Sequence, residues 1–255
     1  FIGQEAGRGP AVDATTAGCT SSSNVFIGYR AGRCYRSGSN NVVLGSNAAT
    51  NVCGGSYNFF ALNCSARYHC SGSNNIAIGQ YAMFCGGNHA GDGQASNNIL
   101  LGVHAGCFIS TADSNIFIGN SAGRRICNGC HNIALGTNAL TYATTSSQNI
   151  SIGNNSLYCN ISGTNNIALG QQAAKCQVSG CGNITFGNRV GFAATDGDNN
   201  ILMSSSHVGH DCIIGDDNVL CNNSAIAGHS RIMRGVTLAL NSSVHQFKII
   251  GSWSM

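Results

Sequence analysis

The stretch that decides the fold is Asn132-Ile133-Ala134-Leu135-Gly136, which returns as Asn149-Ile150-Ser151-Ile152-Gly153 and again, at the same spacing, as Asn166-Ile167-Ala168-Leu169-Gly170. Each copy contains Asn, an apolar residue, a small residue, a second apolar residue and Gly. Glycines recur at this strict spacing, and we predict a structural role for Gly102, Gly119, Gly136, Gly153, Gly170 and Gly187. A period this regular indicates a solenoid in which each repeat forms one coil.

The residue that follows each apolar run marks the coil, and the markers are Gly3, Gly28, Gly45, Asn63, Gly79, the six glycines named above and Ser204. We assign Asn63 to the glycine position because Asn tolerates a left-handed backbone better than most residues. The steps from marker to marker are 25, 17, 18, 16 and 23, and then 17 six times. Two insertions therefore lie within Pro10–Ser23 and Cys85–Ser96. Insertions in solenoids form loops on one face, which is often the binding face, so we predict contacts through Gly87, Asn88, His89 and Asp92.

The runs indicate strands because they are short, β-branched and alternating, whereas Gly and Asn recur too often for helices. Ile116 and Ile118 are separated by one residue and should lie on the same side of a strand, which we take as the inward side. The Ala at the third position after each marker, as in Ala122, suggests a second inward position. Asn in register on successive coils is expected to form a ladder of amide hydrogen bonds.

From Leu202 the apolar period changes to six residues and continues without a break through Ile250. This is the hexapeptide repeat of a left-handed parallel β-helix. The predicted fold class is therefore all-β, with a 17-residue-repeat solenoid over residues 1–200 that continues into a hexapeptide β-helix over residues 201–255. At about 4.8 Å per coil, some 15 coils give a rod of roughly 70 Å. Because so slim a rod has a thin core, we predict a parallel homotrimer.

Composition excludes several classes of protein. Charged residues make up 8% of the chain, against roughly 25% in an average domain, and the net charge is +3. The periodic apolar residues imply a buried face, which excludes disorder. No apolar run approaches about 18 residues, so no membrane span is predicted, and the charge is too small to indicate a nucleic-acid partner. Since Phe1 and Met255 both lie inside repeats, we expect a part of a longer polypeptide.

The 17-residue unit, for example Ser114-Asn115-Ile116-Phe117-Ile118-Gly119-Asn120-Ser121-Ala122-Gly123, resembles repeats in fibre-like structural proteins of cyanobacterial and marine bacteriophages. It is more distantly similar to the head repeats of trimeric autotransporter adhesins. This resemblance covers residues 1–204. It implies a trimeric structural component located in a virion fibre or appendage, with other virion proteins and a host cell-surface glycan as partners. The adhesin alternative implies an extracellular or cell-surface location.

A second resemblance covers residues 199–255. The segments His207-Val208-Gly209-His210-Asp211-Cys212, Asn222-Asn223-Ser224-Ala225-Ile226-Ala227-Gly228-His229 and Ser243-Val244-His245-Gln246-Phe247 resemble the core of UDP-N-acetylglucosamine acyltransferase. The resemblance implies that His210 is a general base, that Asp211 orients it, and that His207, His229, His245 and Gln246 line a cleft between subunits. His229 follows His210 by one position more than a full coil of three hexapeptides, so we expect the two on adjacent coils near one edge.

These histidines also have a structural interpretation, as packing or hydrogen-bonding groups at a trimer seam, which we favour over an enzyme. A zinc site of the kind found between subunits in γ-class carbonic anhydrases fits the spacing less well, so we predict neither a metal nor a cofactor. The 14 Cys are interpreted as a ladder of buried thiols in which Cys159 and Cys176 stack, and Cys127-Asn128-Gly129-Cys130 is a weak metal or redox candidate. Arg30, Arg33 and Arg36 with Tyr29 and Tyr35 are either solvated corners or a glycan contact.

The leading functional hypothesis is a rigid trimeric spacer or host-attachment component of a bacteriophage fibre. An acyltransferase-like sugar-binding domain carried on a solenoid and a bacterial surface adhesin are the two alternatives.

Overall fold

The computed structural model describes residues 1–8, 22–69, 71–84, 94–191 and 197–255. In these ranges the chain forms short parallel strands and turns, with no helix, and it divides into two compact units, Phe1–His131 and Asn132–Met255. None of the described segments is a helix long and apolar enough to cross a bilayer. The predicted insertion contacts Gly87, Asn88, His89 and Asp92 lie outside the described residues.

The first unit is one parallel sheet in which each three-residue strand lies beside the strand of the next coil. Its strands are β1 (Val25–Ile27), β2 (Val42–Leu44), β3 (Phe59–Ala61), β4 (Ile76–Ile78), β5 (Ile99–Leu101) and β6 (Ile116–Ile118). They pair in chain order, and equivalent residues face each other, as Ile99 and Ile116 do. The predicted solenoid of 17-residue coils is therefore confirmed.

The second unit begins with the same architecture and then adds two further sheets. Strands β7 (Ile133–Leu135), β8 (Ile150–Ile152), β9 (Ile167–Leu169), β10 (Ile184–Phe186) and β11 (Ile201–Leu202) pair in order. Two-residue strands then recur every six residues: β12 (His207–Val208), β13 (Ile213–Ile214), β14 (Val219–Leu220), β15 (Ala225–Ile226), β16 (Arg231–Ile232), β17 (Thr237–Leu238), β18 (Ser243–Val244) and β19 (Ile249–Ile250).

Each coil of the hexapeptide region has three sides. Strands β14 and β17 continue the sheet of β11, whereas β12, β15 and β18 form a second sheet and β13, β16 and β19 a third. The second residue of most of these strands is buried, and together they form the core of Val208, Ile214, Leu220, Ile226, Ile232, Leu238 and Val244. This is the architecture that the six-residue period predicts.

The prediction that the flanking apolar residues of each 17-residue run point inward is wrong. The middle residue is buried, as in Phe117 at 0% exposure, while Ile118 is 40% exposed. A strand of three residues alternates sides, so a tight coil can turn only the central side chain inward. The predicted second inward position is confirmed, since Ala105 and Ala122 are fully buried.

The assignment of Asn63 to the glycine position is also wrong. Leu44 pairs with Ala61 and Ala61 with Ile78, so Leu62 is the residue that follows the strand. Leu62 has φ 78° and is 54% exposed. With Leu62 as the marker, the steps from Gly45 to Leu62 and from Leu62 to Gly79 are both 17 residues. Because Leu62 is apolar, the sequence pattern alone assigns it to the strand and not to the marker position.

Backbone crowding explains why glycine occupies the marker in most coils. Gly153 has φ 134°, and a Cβ placed there would lie 2.3 Å from the carbonyl oxygen of Gly170 on the next coil. All six glycines for which a structural role was predicted have φ between 131° and 138°. Such a backbone strongly disfavours side chains.

The predicted amide ladder is present in both units. Asn149 is fully buried, and its Nδ2 donates to Asn132 Oδ1 at 3.1 Å and to the Gly163 carbonyl at 2.9 Å. Its Oδ1 accepts from the backbone N–H of Asn166 at 2.9 Å. In the first unit the same pattern joins Asn41, Asn58, Asn75, Asn98 and Asn115. The ladder therefore satisfies buried polar groups of the backbone.

We predict that Asn149→Ala destabilises the fold by about 3 kcal/mol, because it leaves a buried carbonyl and a buried N–H unpaired. Asn154→Ala is the matched control, since Asn154 lies in the same coil and is exposed. Urea unfolding of the two variants measures the difference. Equal stabilities would contradict a ladder that holds the coils together.

A buried histidine makes the first unit sensitive to acid. His69 packs edge-on against Phe60 with ring centroids 6.3 Å apart, and its Nε2 accepts from the Gly72 N–H at 3.1 Å. Burial lowers the pKa of His69 from 6.5 to about 4. As the pH falls, the unfolded chain therefore takes up a proton at this residue before the folded chain does. The contribution to stability is complete above the ordinary pKa and disappears as the pH falls towards the lowered one.

We predict that His69→Ile removes up to about 3 kcal/mol of the stability loss between neutral pH and about pH 4. Ile is suitable because Ile109 and Ile126 occupy the equivalent position of other coils and are fully buried. Urea unfolding at a series of pH values measures the slope, with the exposed His245 changed to Gln as control. An unchanged slope in His69→Ile would contradict the prediction.

Candidate functional site

The candidate site lies at one corner of the hexapeptide coils. Asp211, His229 and Phe247 recur once per coil of three hexapeptides and have φ of 56°, 58° and 60°. They are therefore the same left-handed corner residue on three successive coils. Asp and His tolerate this conformation better than most residues, and the corner turns the three side chains outward, away from the core.

Three side chains meet at this corner. His210 Nδ1 lies 2.9 Å from Asp211 Oδ2, and His229 Nδ1 lies 3.8 Å from the same oxygen. The rings of His210 and His229 pack edge to face with centroids 4.7 Å apart. The backbone N–H of His229 donates to the His210 carbonyl at 3.0 Å. The expectation that the two histidines lie on adjacent coils near one edge is therefore confirmed.

Phe247 supports this cluster and was not predicted as a site residue. Its ring stacks on His229 with centroids 4.9 Å apart and planes inclined by only 1°. The interval of one full coil between His229 and Phe247 was the signal that could have identified it. The stack restricts the orientation of the His229 ring.

The contact between His210 and Asp211 is an exposed hydrogen bond. The hydrogen bond from His210 and the charges of His210 and His229 lower the pKa of Asp211. Because the side chains of His210 and Asp211 are 73% and 69% exposed, solvent screens this interaction strongly. The contact therefore orients the His210 imidazole and contributes little to stability.

Among the other predicted cleft residues, Gln246 directly precedes the corner residue Phe247, two coils after the equivalent His210. His207 is on β12 and lines a separate cleft of about 390 Å³ with Asn188, Arg189, Ser205 and Ser206. His245 follows β18, and its Nδ1 lies 3.3 Å from the Gln246 carbonyl oxygen. His207, His245 and Gln246 are all exposed.

The basic and aromatic residues near the start of the chain lie partly together, since the Arg30 guanidinium is 4.8 Å from the centroid of the Tyr29 ring. Arg30 and Arg33 both pair with Glu5, at 2.8 and 3.3 Å, so one carboxylate offsets a part of their charge. Tyr35 is buried and its hydroxyl donates to the Gly55 carbonyl at 2.6 Å, whereas Tyr29 is exposed. These contacts favour the structural interpretation over a glycan site.

The cysteines that the structure describes form no disulfide with one another, and only Cys64, Cys107 and Cys212 of them are buried, so the predicted ladder of buried thiols is wrong. Cys159 is partly buried and Cys176 is exposed. Cys159 and Cys176 are equivalent residues on adjacent coils, and the Cys159 N–H donates to the Lys175 carbonyl at 3.0 Å. Burial and the neighbouring Cys176 raise the pKa of the Cys159 thiol, which makes it less reactive. Cys127 and Cys130 each contact a nearby backbone carbonyl, of Arg125 and Asn128 respectively, at 3.6 Å.

Comparison with known proteins identifies a relative for a part of the chain. A segment of 58 residues is 43% identical to an acyl-[acyl-carrier-protein]--UDP-N-acetylglucosamine O-acyltransferase of Pseudomonas savastanoi pv. phaseolicola. This segment is 23% of the chain and 22% of that enzyme. The enzymes of Ectopseudomonas mendocina and Pseudomonas aeruginosa match over 60 residues, at 43% and 42% identity. Each of these matches covers 24% of the chain and 23% of the relative.

The match confirms the resemblance to a hexapeptide β-helix. It spans less than a quarter of the length of these curated relatives. No family model and no solved structure matches the chain. The resemblance of the 17-residue repeats to bacteriophage fibre proteins stays a prediction.

Proposed function

We propose that the chain is a structural component of a trimeric fibre or appendage of a bacteriophage virion, where it acts as a rigid spacer or in host-surface attachment. The supporting observation is the outer face of the repeating sheet. The first and last residues of the three-residue strands are mostly large and apolar, and many are exposed in the single chain: Val25, Ile27, Ile76, Ile99 and Ile118 in the first unit, and Ile152, Ile184 and Phe186 in the second.

We name these residues the outer apolar columns. They recur at the same two positions of each coil because the strands pair in register. A soluble monomer rarely exposes a continuous apolar patch of this kind, and such patches generally mark an interface. Single exposed apolar residues need no binding partner, whereas apolar columns that recur in each coil indicate one.

A second copy of the same chain is the partner that fits these columns best. An identical chain presents apolar columns with the same spacing between coils, so the two sets match coil by coil. Three copies around one axis would cover the columns and thicken a thin core. The low charge of the chain, 8% of residues, is consistent with a face that is buried on assembly.

The ladders inside each unit support the mechanical part of the proposal. Successive coils repeat the Asn contacts and the glycine packing of their neighbours, so each pair of adjacent coils is held together by an equivalent set of hydrogen bonds. We propose host cell-surface glycan and other fibre proteins as the partners of loops and ends. The alternative is that a chain with this architecture is part of a bacterial surface adhesin.

We predict that Ile152→Lys and Ile184→Lys convert the trimer into monomers, because each buries a charge in the proposed interface. Ile161→Lys is the matched control: Ile161 is 44% exposed, compared with 39% for Ile152, and lies outside the columns. Native mass spectrometry and analytical ultracentrifugation give the oligomeric state. A wild-type monomer, or a control that dissociates as readily as the column variants, would refute the interface.

A second candidate function rests on the 2.9 Å contact between His210 and Asp211 and on the 43% identity of the matched segment. The names of the relatives describe O-acyltransferases of UDP-N-acetylglucosamine, and this chain would bind a nucleotide sugar at His210. A carboxylate beside a histidine fixes the tautomer that a general base requires.

Isothermal titration with UDP-N-acetylglucosamine tests this candidate function. It predicts saturable binding that weakens at least tenfold in His210→Ala. His131→Asn serves as control, since His131 is exposed and lies in the other unit. The structural proposal predicts no binding to any of the three proteins, so the two candidate functions give opposite results.

A further inference from the structure

The corner cluster has the composition and spacing of a metal site. One potential ligand atom from each of His210, Asp211 and His229 lies within 4.8 Å of the other two. Among the residues that the structure describes, these three form the one such group of His, Cys, Asp or Glu. All three side chains belong to a single chain, so the site does not depend on the proposed trimer.

The distances suit a small ion. Asp211 Oδ2 is 2.9 Å from His210 Nδ1 and 3.8 Å from His229 Nδ1. Ligands bound tetrahedrally at about 2.0–2.2 Å are roughly 3.4 Å apart, which lies between these two values. The side chains are exposed, so small rotations bring them to the required separation without disturbing the core.

The ligand types select the class of metal. Two imidazole nitrogens and one carboxylate oxygen favour zinc and the neighbouring divalent transition metals, whereas calcium and magnesium prefer oxygen ligands alone. Three protein ligands leave a fourth position for water or another small molecule.

The surroundings restrict the ligands before an ion arrives. Asp211 and His229 are corner residues of adjacent coils, and the hydrogen bond from the His229 N–H to the His210 carbonyl fixes the separation of their backbones. The stack of Phe247 on His229 then limits rotation of that ring. Supporting contacts of this kind raise metal affinity because less freedom is lost on binding.

We propose that His210, Asp211 and His229 form a binding site for one divalent transition metal ion, with zinc as the typical occupant. This metal site is independent of the structural function proposed above. It assigns a bound metal ion to one corner of the hexapeptide region.

Titration of the purified chain with Co²⁺, followed by its visible absorption band and by competition with Zn²⁺, tests the proposal. We expect one ion per chain and displacement of Co²⁺ by Zn²⁺. The variants His229→Asn and Asp211→Asn should each bind at least about tenfold more weakly. Asn is chosen because Asn223 and Asn241 occupy the equivalent left-handed position at another corner, with φ of 58° and 59°, so the variants keep the backbone.

Two further variants test the contribution of Phe247 and distinguish the cluster from a histidine outside it. Phe247→Leu, which removes the stack and keeps an apolar side chain, should weaken binding by less than the ligand variants do. His245→Asn should leave binding unchanged, since His245 is exposed and is not part of the cluster. The proposal is overturned if binding is not saturable at one ion per chain, or if His245→Asn weakens it as much as His229→Asn does. Circular dichroism establishes that each variant is folded.

Discussion

The structure depends on one constraint, which is that each coil within a unit must stack in register on the next. The backbone N–H groups of one coil donate to the carbonyls of its neighbour, as from Ile150 to Asn166 and from Ile167 to Asn183, both at 2.8 Å. Any position that faces the adjacent coil must therefore suit all copies at once. This explains why Asn and Gly recur with a fixed period while most other positions vary. The Oδ1 of a buried Asn accepts from the backbone N–H of the next coil and, where that coil also carries Asn, from its side-chain amide as well. A marker residue with a side chain must find room beside the next carbonyl.

The same constraint determines what the outside of the molecule can be. A tight coil turns only one residue of each three-residue strand inward, so two apolar residues per coil remain outside, and register aligns them into columns. The stacking that builds the core thus also builds the surface on which we base the proposed assembly. Each added coil extends the sheet by an equivalent strand, and the apolar face that needs cover grows in proportion.

Much of the fold could be predicted from the sequence because a strict period fixes register without any knowledge of contacts. The period of the marker glycines, its change to six near Leu202, the amide ladder and the inward Ala all follow from spacing. The side of the strand that faces inward did not follow, since Ile-x-Ile alternates in the same way whether it points in or out. Leu62 was missed for a related reason: a large apolar residue at φ 78° looks like part of the strand until the pairing of its neighbours is known.

The candidate site could be predicted only in part. The pair of His210 and His229 followed from the length of a coil, but the choice of partners at a corner depends on rotamers and on stacking, which spacing does not encode. Phe247 is an example: the interval of one coil places it next to His229, but the stacking of its ring on the imidazole emerges only in three dimensions.

The corners are also the places where this fold is free to vary. The three corner columns of the hexapeptide region carry different chemistry on the same backbone. One has Asp211, His229 and Phe247; another has Asn223 and Asn241, joined by an amide hydrogen bond of 3.2 Å. The third has Asp217, Gly235 and Trp253, where Arg234 pairs with Asp217 at 2.7 Å and lies over the Trp253 ring.

Core positions cannot diverge in this way, since each must fit the coil above and below. A corner side chain points to solvent and is restricted mainly by its left-handed backbone. Selection can therefore place a histidine and a carboxylate on successive corners without a cost to the stack. A solenoid with the structural function proposed here can in this way carry a metal or sugar site on one corner while the rest of each coil stays a structural repeat.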